Sequence, residues 1–178
     1  MAVAPAGEDG AVIAALLLAA GTVVLDDIAM RRTRSYTAIA RLNAMWHSVL
    51  PESPAGMRVG FVFYAGAVPI ACAMWGRPSA RMEDQTTTME LTRLAHSPSV
   101  PRNFGSWALA RMRAWIREHM PEIVRIISYQ DASIHHGTIY RADNWRQVYD
   151  HETTHSWGNR PGRLSNERQH KIKWEREP

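Results

Sequence analysis

Met89-Glu-Leu-Thr-Arg-Leu-Ala-His96, Pro101-Arg-Asn-Phe-Gly-Ser-Trp107, Ile123-Val-Arg-Ile-Ile-Ser-Tyr-Gln-Asp131 and Gly137-Thr-Ile-Tyr-Arg-Ala-Asp-Asn-Trp145 are pieces of one stretch, and they decide the fold. They read in turn as a strand, a loop entering a helix, a second strand and a short helix. The helix is expected from Ser106 or Trp107 to about His119. Trp107, Ala110, Ala114 and Met120 would form its inner face, with Arg111, Arg113, Arg117 and Glu118 solvated. Strand, helix, strand implies a parallel crossover. The β-branched run from Ile123 to Tyr129 suits a central strand covered on both faces. Polar residues gather at strand ends and helix entries, where an α/β chain binds ligands.

Working outward, Met57–Tyr64 and Val68–Trp75 flank Ala65-Gly66 and predict a hairpin. Thr88–Ala95 would be the third strand, after a polar loop over 79–87. Glu90 and Arg93, three apart, are expected on opposite faces of it. Ser35 can cap a helix with Ile39, Leu42 and Met45 on one face; Pro51 and Pro54 forbid its continuation. Val23–Leu25 reads as a short strand, and Asp26-Asp27 as a cap or turn. Ala11–Leu25 is too short to span a membrane and is interrupted by Gly21 and Thr22, so a buried helix ending near Gly21 is expected. Residues 1–10 should fray. Arg146–Tyr149, a helix over Thr138–Ala142 before it, and Lys171–Glu175 complete the elements. The long basic loop 153–169 lies between the last two strands.

With 178 residues, 46% hydrophobic and 21% charged, the chain is expected to be a single domain with a full core. A net charge of +4 permits a polyanionic partner without requiring one. The one cysteine, Cys72, excludes a disulfide framework and a cysteine zinc site, and fits a reducing cytoplasm.

Several residues allow chemistry. Pro101–Trp107 opens a helix after a strand, so its backbone amides, with the side chains of Asn103 and Ser106, can hold a phosphate. Asn103 or Ser106 can equally be a plain N-cap. Ser128 and Asp131 stand at the carboxyl end of a central strand; Asp131 is either a base for an amine nucleophile or a local cap. Tyr140 is a general acid or a core tyrosine. Arg93 serves an anion or a structural pair. Adjacent His135 and His136 point about 100° apart on a helix, which argues against joint chelation, and no metal site is expected. Trp157, Arg160 and Arg163 suit phosphates and an extruded base, or a solvated surface.

Leu91-Thr-Arg-Leu-Ala95, Asn103, Ser106-Trp107, Ser128-Tyr-Gln-Asp131, His136-Gly-Thr-Ile-Tyr140, Ala142, Trp145, Arg160-Pro-Gly-Arg163 and Lys173-Trp-Glu175, with Trp46-His47-Ser48 and Trp75-Gly-Arg-Pro78, resemble the Mom family of bacteriophage DNA-modification proteins. The likeness runs from about Arg32 to Glu175. It implies an α/β, GNAT-like mixed and splayed β-sheet flanked by helices. It implies a transferase converting adenine in double-stranded DNA to an N6-carbamoylmethyl derivative, which protects phage DNA from restriction in the host cytoplasm. It implies acetyl-CoA or a related acyl-CoA donor, and it raises iron. On this resemblance Arg102, Asn103, Phe104, Gly105, Ser106 and Trp107 would hold the donor pyrophosphate, although the usual glycine-rich signature is absent. Tyr140 would be the general acid, Asp131 and His47 base or proton relay, and Ser128 a further catalytic residue. Arg93 and Tyr129 would position the substrate. His136, Trp157, Arg160 and Arg163 would meet DNA. An amine- or lysine-acetylating GNAT enzyme and a catalytically dead DNA-binding protein are the alternatives.

Overall fold

The computed structural model describes residues 23–47, 49–153 and 169–178, with the side chains of 151–153 and 169 left aside. A single-turn 3-10 helix at Leu25–Asp27 leads into β1 (Ile28–Thr33) and α1 (Tyr36–Trp46). The hairpin β2 (Met57–Ala65) and β3 (Val68–Gly76) follows, then β4 (Thr88–His96), α2 (Phe104–His119) and β5 (Arg125–Asp131). The chain closes with α3 (Thr138–Ala142), β6 (Arg146–Thr153) and β7 (Gln169–Arg176). The seven strands among the described residues form one sheet in the order β1-β2-β3-β4-β5-β7-β6. Only β4 and β5 pair in parallel.

Helices cover both faces. α1 starts at Ser35, whose Oγ accepts from the Ala38 amide at 3.2 Å, an N-cap contribution of about 1 kcal/mol. It packs Ile39 on Val62, Cys72, Met74 and Ala95. Burial there pushes the Cys72 thiol up to about 12, so it stays an inert core group. The opposite face carries the larger core, including Phe61, Phe63, Trp75, Met89, Leu91, Ile126 and Trp174 under α2.

Three expectations are corrected. The first strand is Ile28–Thr33, not Val23–Leu25. It is an edge strand, and its exposed Arg31 and Arg32 disguise it as a loop. The inner stripe of α2 is Phe104, Ala108, Leu109, Met112 and Ile116. The helix begins earlier than expected, and the i, i+4 row from Phe104 meets the sheet while Ala114 is exposed. Arg113 is not solvated; its Nε and Nη2 donate to Asp143 at 2.9 and 3.0 Å.

The third correction concerns β4. Met74 pairs with Arg93 and Trp75 with Leu91, which leaves Thr92 as an extra residue. Such a bulge shifts the side-chain phase by one. Glu90 and Arg93 therefore share the α1 face instead of opposing each other. Each feels the other's charge.

The expected helix at Ala11–Gly21, and the loop residues 154–168, lie outside the described residues. Among the described residues no helix is long and apolar enough to cross a membrane.

Candidate active site

The pairing of β4 with β5 covers only Thr88–Leu91 and Arg125–Ser128. Beyond it Thr92–His96 and Tyr129–Asp131 run on without pairing to each other, while their outer partners β3 and β7 stay in place. The sheet is thus split at its carboxyl end. The β4 edge that faces the split carries backbone groups with no strand beside them, so an extended ligand arm can occupy the missing rung.

Ser128 closes the apex. Its Oγ donates to the Leu91 carbonyl at 3.1 Å. A hydroxyl has one hydrogen, so the 2.9 Å contact with Tyr140 has the tyrosine O–H donating to Ser128 Oγ. Burial raises the Tyr140 pKa and outweighs the Ser128 bond. The phenol is therefore a neutral proton carrier at the apex. Its ring stacks on Trp174 with centroids 5.3 Å apart and meets Trp145 edge-on at 5.4 Å.

Gly137 starts α3 in the left-handed region, at φ 68°. A Cβ there would lie 2.7 Å from Trp174 and closer still to Gln130. Gln130 donates to the His135 carbonyl and accepts from the Trp174 indole at 2.7 Å. Glycine is thus required for α3 to seat Tyr140 against the split. Gln130 and Trp174 had no role assigned from sequence; both lie inside recognised motifs, and the neighbouring Gly137 was the available signal.

The entry to α2 flanks the split. Asn103 occupies the N-cap position at φ 64° and makes no side-chain cap. Ser106 Oγ donates back to the Asn103 carbonyl at 3.1 Å. The Phe104 and Trp107 amides are used by Pro101 and Asn103 carbonyls. This leaves the Gly105 and Ser106 amides as the first-turn donors for an anion. Phe104 is buried against Phe63 and His96, and Trp107 also packs on Phe63. Their side chains serve the core. Arg102 and Asn103 are exposed. Gly105 is small for α3 rather than for a ligand, because a Cβ would lie 2.5 Å from Ile139 Cγ2.

On the α1 face, Arg93 grips the α1–β2 loop. Its Nε and Nη2 donate to the Glu52 carbonyl at 3.2 and 3.0 Å, and Nη1 donates to Thr92 O at 2.6 Å. The guanidinium therefore holds main chain rather than a carboxylate partner. His47 Nδ1 accepts the Val49 and Leu50 amides at 3.4 and 3.1 Å. Burial, then the charges of Arg93 and His135, lower the His47 pKa. His47 is thus a neutral imidazole with its hydrogen on Nε2.

Burial and the charges of Glu83 and Glu90 push the Tyr129 phenol up to about 12. Glu90 itself is buried, which raises its pKa, and it accepts from Ser79 N and Oγ at 2.6 and 2.8 Å. Asp131 accepts from the amide of Ser133 at 3.0 Å and from its hydroxyl at 2.5 Å, so it caps its own turn. His136 is exposed. Trp157, Arg160 and Arg163 lie outside the described residues. Among the described residues no three His, Cys, Asp or Glu side chains are grouped to hold a metal ion, so the donor set for an iron is not met there.

The fold is that of GNAT acetyltransferases. Spermidine N-acetyltransferase from Vibrio cholerae, in complex with CoA and spermine, matches with TM-score 0.58 at 10% identity over 85% of this chain and 96% of its own. The Salmonella typhimurium protein yncA, with its cofactor acetyl-CoA, gives 0.58 at 12% identity over 85% and 94%. IAA acetyltransferase from Bacillus cereus gives 0.57 at 13% over 85% and 99%. No curated protein sequence is significantly similar to the chain. The model of the Mom protein family matches residues 58–177, which takes in β2 through β7, the split and the α2 entry. The chain belongs to the Mom protein family.

Proposed function

We propose that the chain is a transferase that modifies adenine N6 in double-stranded DNA to a carbamoylmethyl derivative, drawing on an acyl-CoA-related donor. The observation that carries the reading is the split between β4 and β5 with the Ser128–Tyr140 pair at its apex. An extended thioester arm would lie along the open β4 edge, with its pyrophosphate toward the Gly105 and Ser106 amides. Such a donor supplies an activated two-carbon group. Attack on a thioester carbonyl would leave an N6-acyl group, whereas the product carries N6 on the methylene of CH2–CONH2, so the donor has to be activated at that carbon and to bring the amide nitrogen with it. Adenine N6 is a weak nucleophile because its lone pair is delocalised into the ring.

The chain's own groups divide the remaining work. Tyr140 can donate a proton to the group that leaves the donor carbon as N6 bonds to it. His47 Nε2–H can donate to developing negative charge or orient the base. Arg93 fixes the loop on which His47 hydrogen-bonds. Tyr129 and the exposed His136 are assigned to the acceptor face. Asp131 would accept the N6 proton only after leaving its Ser133 turn. Adenine must leave the stack first, at about a few kcal/mol; Trp157, Arg160 and Arg163 are assigned to stacking and phosphate contact. The setting would be the cytoplasm of a phage-infected bacterium, where the product resists restriction.

An acetyltransferase for cationic amines is less well supported. The nearby carboxylates are occupied: Glu83 by Lys173 and Arg125, and Glu90 by Ser79. A dead transferase would be favoured by Asn103 and Ser106 buried in the core, and neither is buried. Mass spectrometry of nucleosides from DNA of cells expressing the protein tests the proposal. Carbamoylmethyladenine is expected with the wild type and its loss with Tyr140→Phe. Unmodified adenine throughout, from folded protein, would overturn it.

A further inference from the structure

At the end of the sheet away from the split, five arginines converge on a cleft of about 840 Å3. Arg113 and Arg117 come from α2, Arg125 from the start of β5, Arg146 from the start of β6 and Arg176 from the end of β7. Antiparallel pairing brings them together, since Arg176 lies opposite Ile126 and Glu175 lies opposite Arg146.

Most of the carboxylates here are already engaged. Glu175 takes Arg146 and lies 3.5 Å from Arg125. Asp143 takes both Nε and Nη2 of Arg113. Asp84 accepts from the amides and hydroxyls of Thr86 and Thr87. One guanidinium keeps accessible donors, and a second is held more loosely. Among the described residues Arg117 meets only the main-chain oxygen of Pro178, at 3.4 Å. Arg176 Nη1 is buried with no hydrogen-bond acceptor, and its nearest carboxylate oxygen is 3.6 Å away. Nη1 is out of reach of solvent and faces Asp143, so Arg176 adds positive charge to the wall of the cleft rather than an Nη1 donor to an entering group.

We propose that this cleft is a second anion site, built for the oxygens of a diphosphate or of a phosphodiester run. Guanidinium forks match phosphate oxygens in bidentate geometry. Arg117 supplies the free donors, Arg176 adds positive charge, and Arg146, 74% exposed at its side chain, lines the cleft. The volume leaves room for two or more phosphates. Glu177 lines the cleft and opposes the anion. The site stands apart from the split, and the proposal does not depend on the transferase reading.

Both indoles touch Tyr140, but their N–H groups have different partners, so the two sites are told apart by which N–H resonance shifts more. Trp145 Nε1–H donates to Asp143 Oδ2 at 2.8 Å beside the arginine cleft, and Trp174 Nε1–H donates to Gln130 behind the split. The full chain, 15N-labelled, is titrated with inorganic pyrophosphate and separately with a short DNA duplex while both indole resonances are followed. Pyrophosphate should move the Trp145 resonance more than that of Trp174. Arg117→Gln should weaken that response about tenfold, the size of one charge-assisted contact, and Glu177→Gln should strengthen it. Raised salt should weaken all three. If the duplex moves the same resonance and competes with pyrophosphate, the phosphates belong to nucleic acid. If only pyrophosphate does, the ligand is a small diphosphate. A response confined to Trp174, no response, or equal affinity in wild type and Arg117→Gln with dispersed native spectra would overturn the assignment.

Discussion

The Ser128–Tyr140 pair makes an unequal prediction for two isosteric deletions. Tyr140→Phe removes the donor to Ser128 Oγ, yet Ser128 keeps its bond to the Leu91 carbonyl. The loss is one net hydrogen bond, about 1 kcal/mol. Ser128→Ala removes the acceptor of a buried phenol and the donor to Leu91 O together. Tyr140 is 8% exposed and its ring is stacked on Trp174, so the hydroxyl cannot turn to bulk water. Leaving that donor unmet costs about 2–3 kcal/mol. The double variant no longer has an orphaned phenol, so it should cost about 1 kcal/mol less than the sum of the two. Urea denaturation at constant m gives the three values. Thermal midpoints should separate Ser128→Ala from Tyr140→Phe by about 2–4 °C or more. An equal or larger loss for Tyr140→Phe, or strict additivity, would refute the donor assignment.

Gly105→Ala gains about 1 kcal/mol of helix propensity but drives a methyl to within 2.5 Å of Ile139 Cγ2. The net should be a loss of about 1–2 kcal/mol, reversed toward a gain over the matching single variant in an Ile139→Ala background. Asp143→Asn strips the charge that holds Arg113, so stability should fall by about 3 kcal/mol or more, seen as a lower thermal midpoint. For His47, 15N NMR should report the Nε2–H tautomer. Its folded pKa lies below 6.5, so its contribution to stability is complete above that pH and is lost as pH falls through the lowered value. His47→Gln should flatten that part of the stability–pH curve, and an unchanged curve would count against it.

Much of this frame was legible from short-range rules. Ser35 capped the expected helix, the hairpin formed at Gly66, and the helix over Thr138–Ala142 appeared at its expected bounds. The bulge at Thr92 leaves a trace in the sequence, where the apolar alternation Met89, Leu91 breaks to Leu94, three residues on. That break is what puts Glu90 and Arg93 on one face. Edge strand β1 escaped because a strand covered on one side and solvated at its edge need not alternate cleanly.

Local propensity, periodicity and motif order determined the elements, the parallel crossover and the family. Those depend on residues close in sequence or on a pattern that survives without coordinates. Which hydrogen each group carries and which donor is left over was decided only by tertiary structure. Ser128 meets Leu91 across a strand pair and Tyr140 across a helix. Arg93 turns out to grip a loop carbonyl, and Gly105 is small because Ile139 lies over it. The Arg117–Arg176 cleft is assembled from four separate elements. These outcomes depend on which long-range neighbours share the limited acceptors of a packed interior, and sequence spacing does not record that choice.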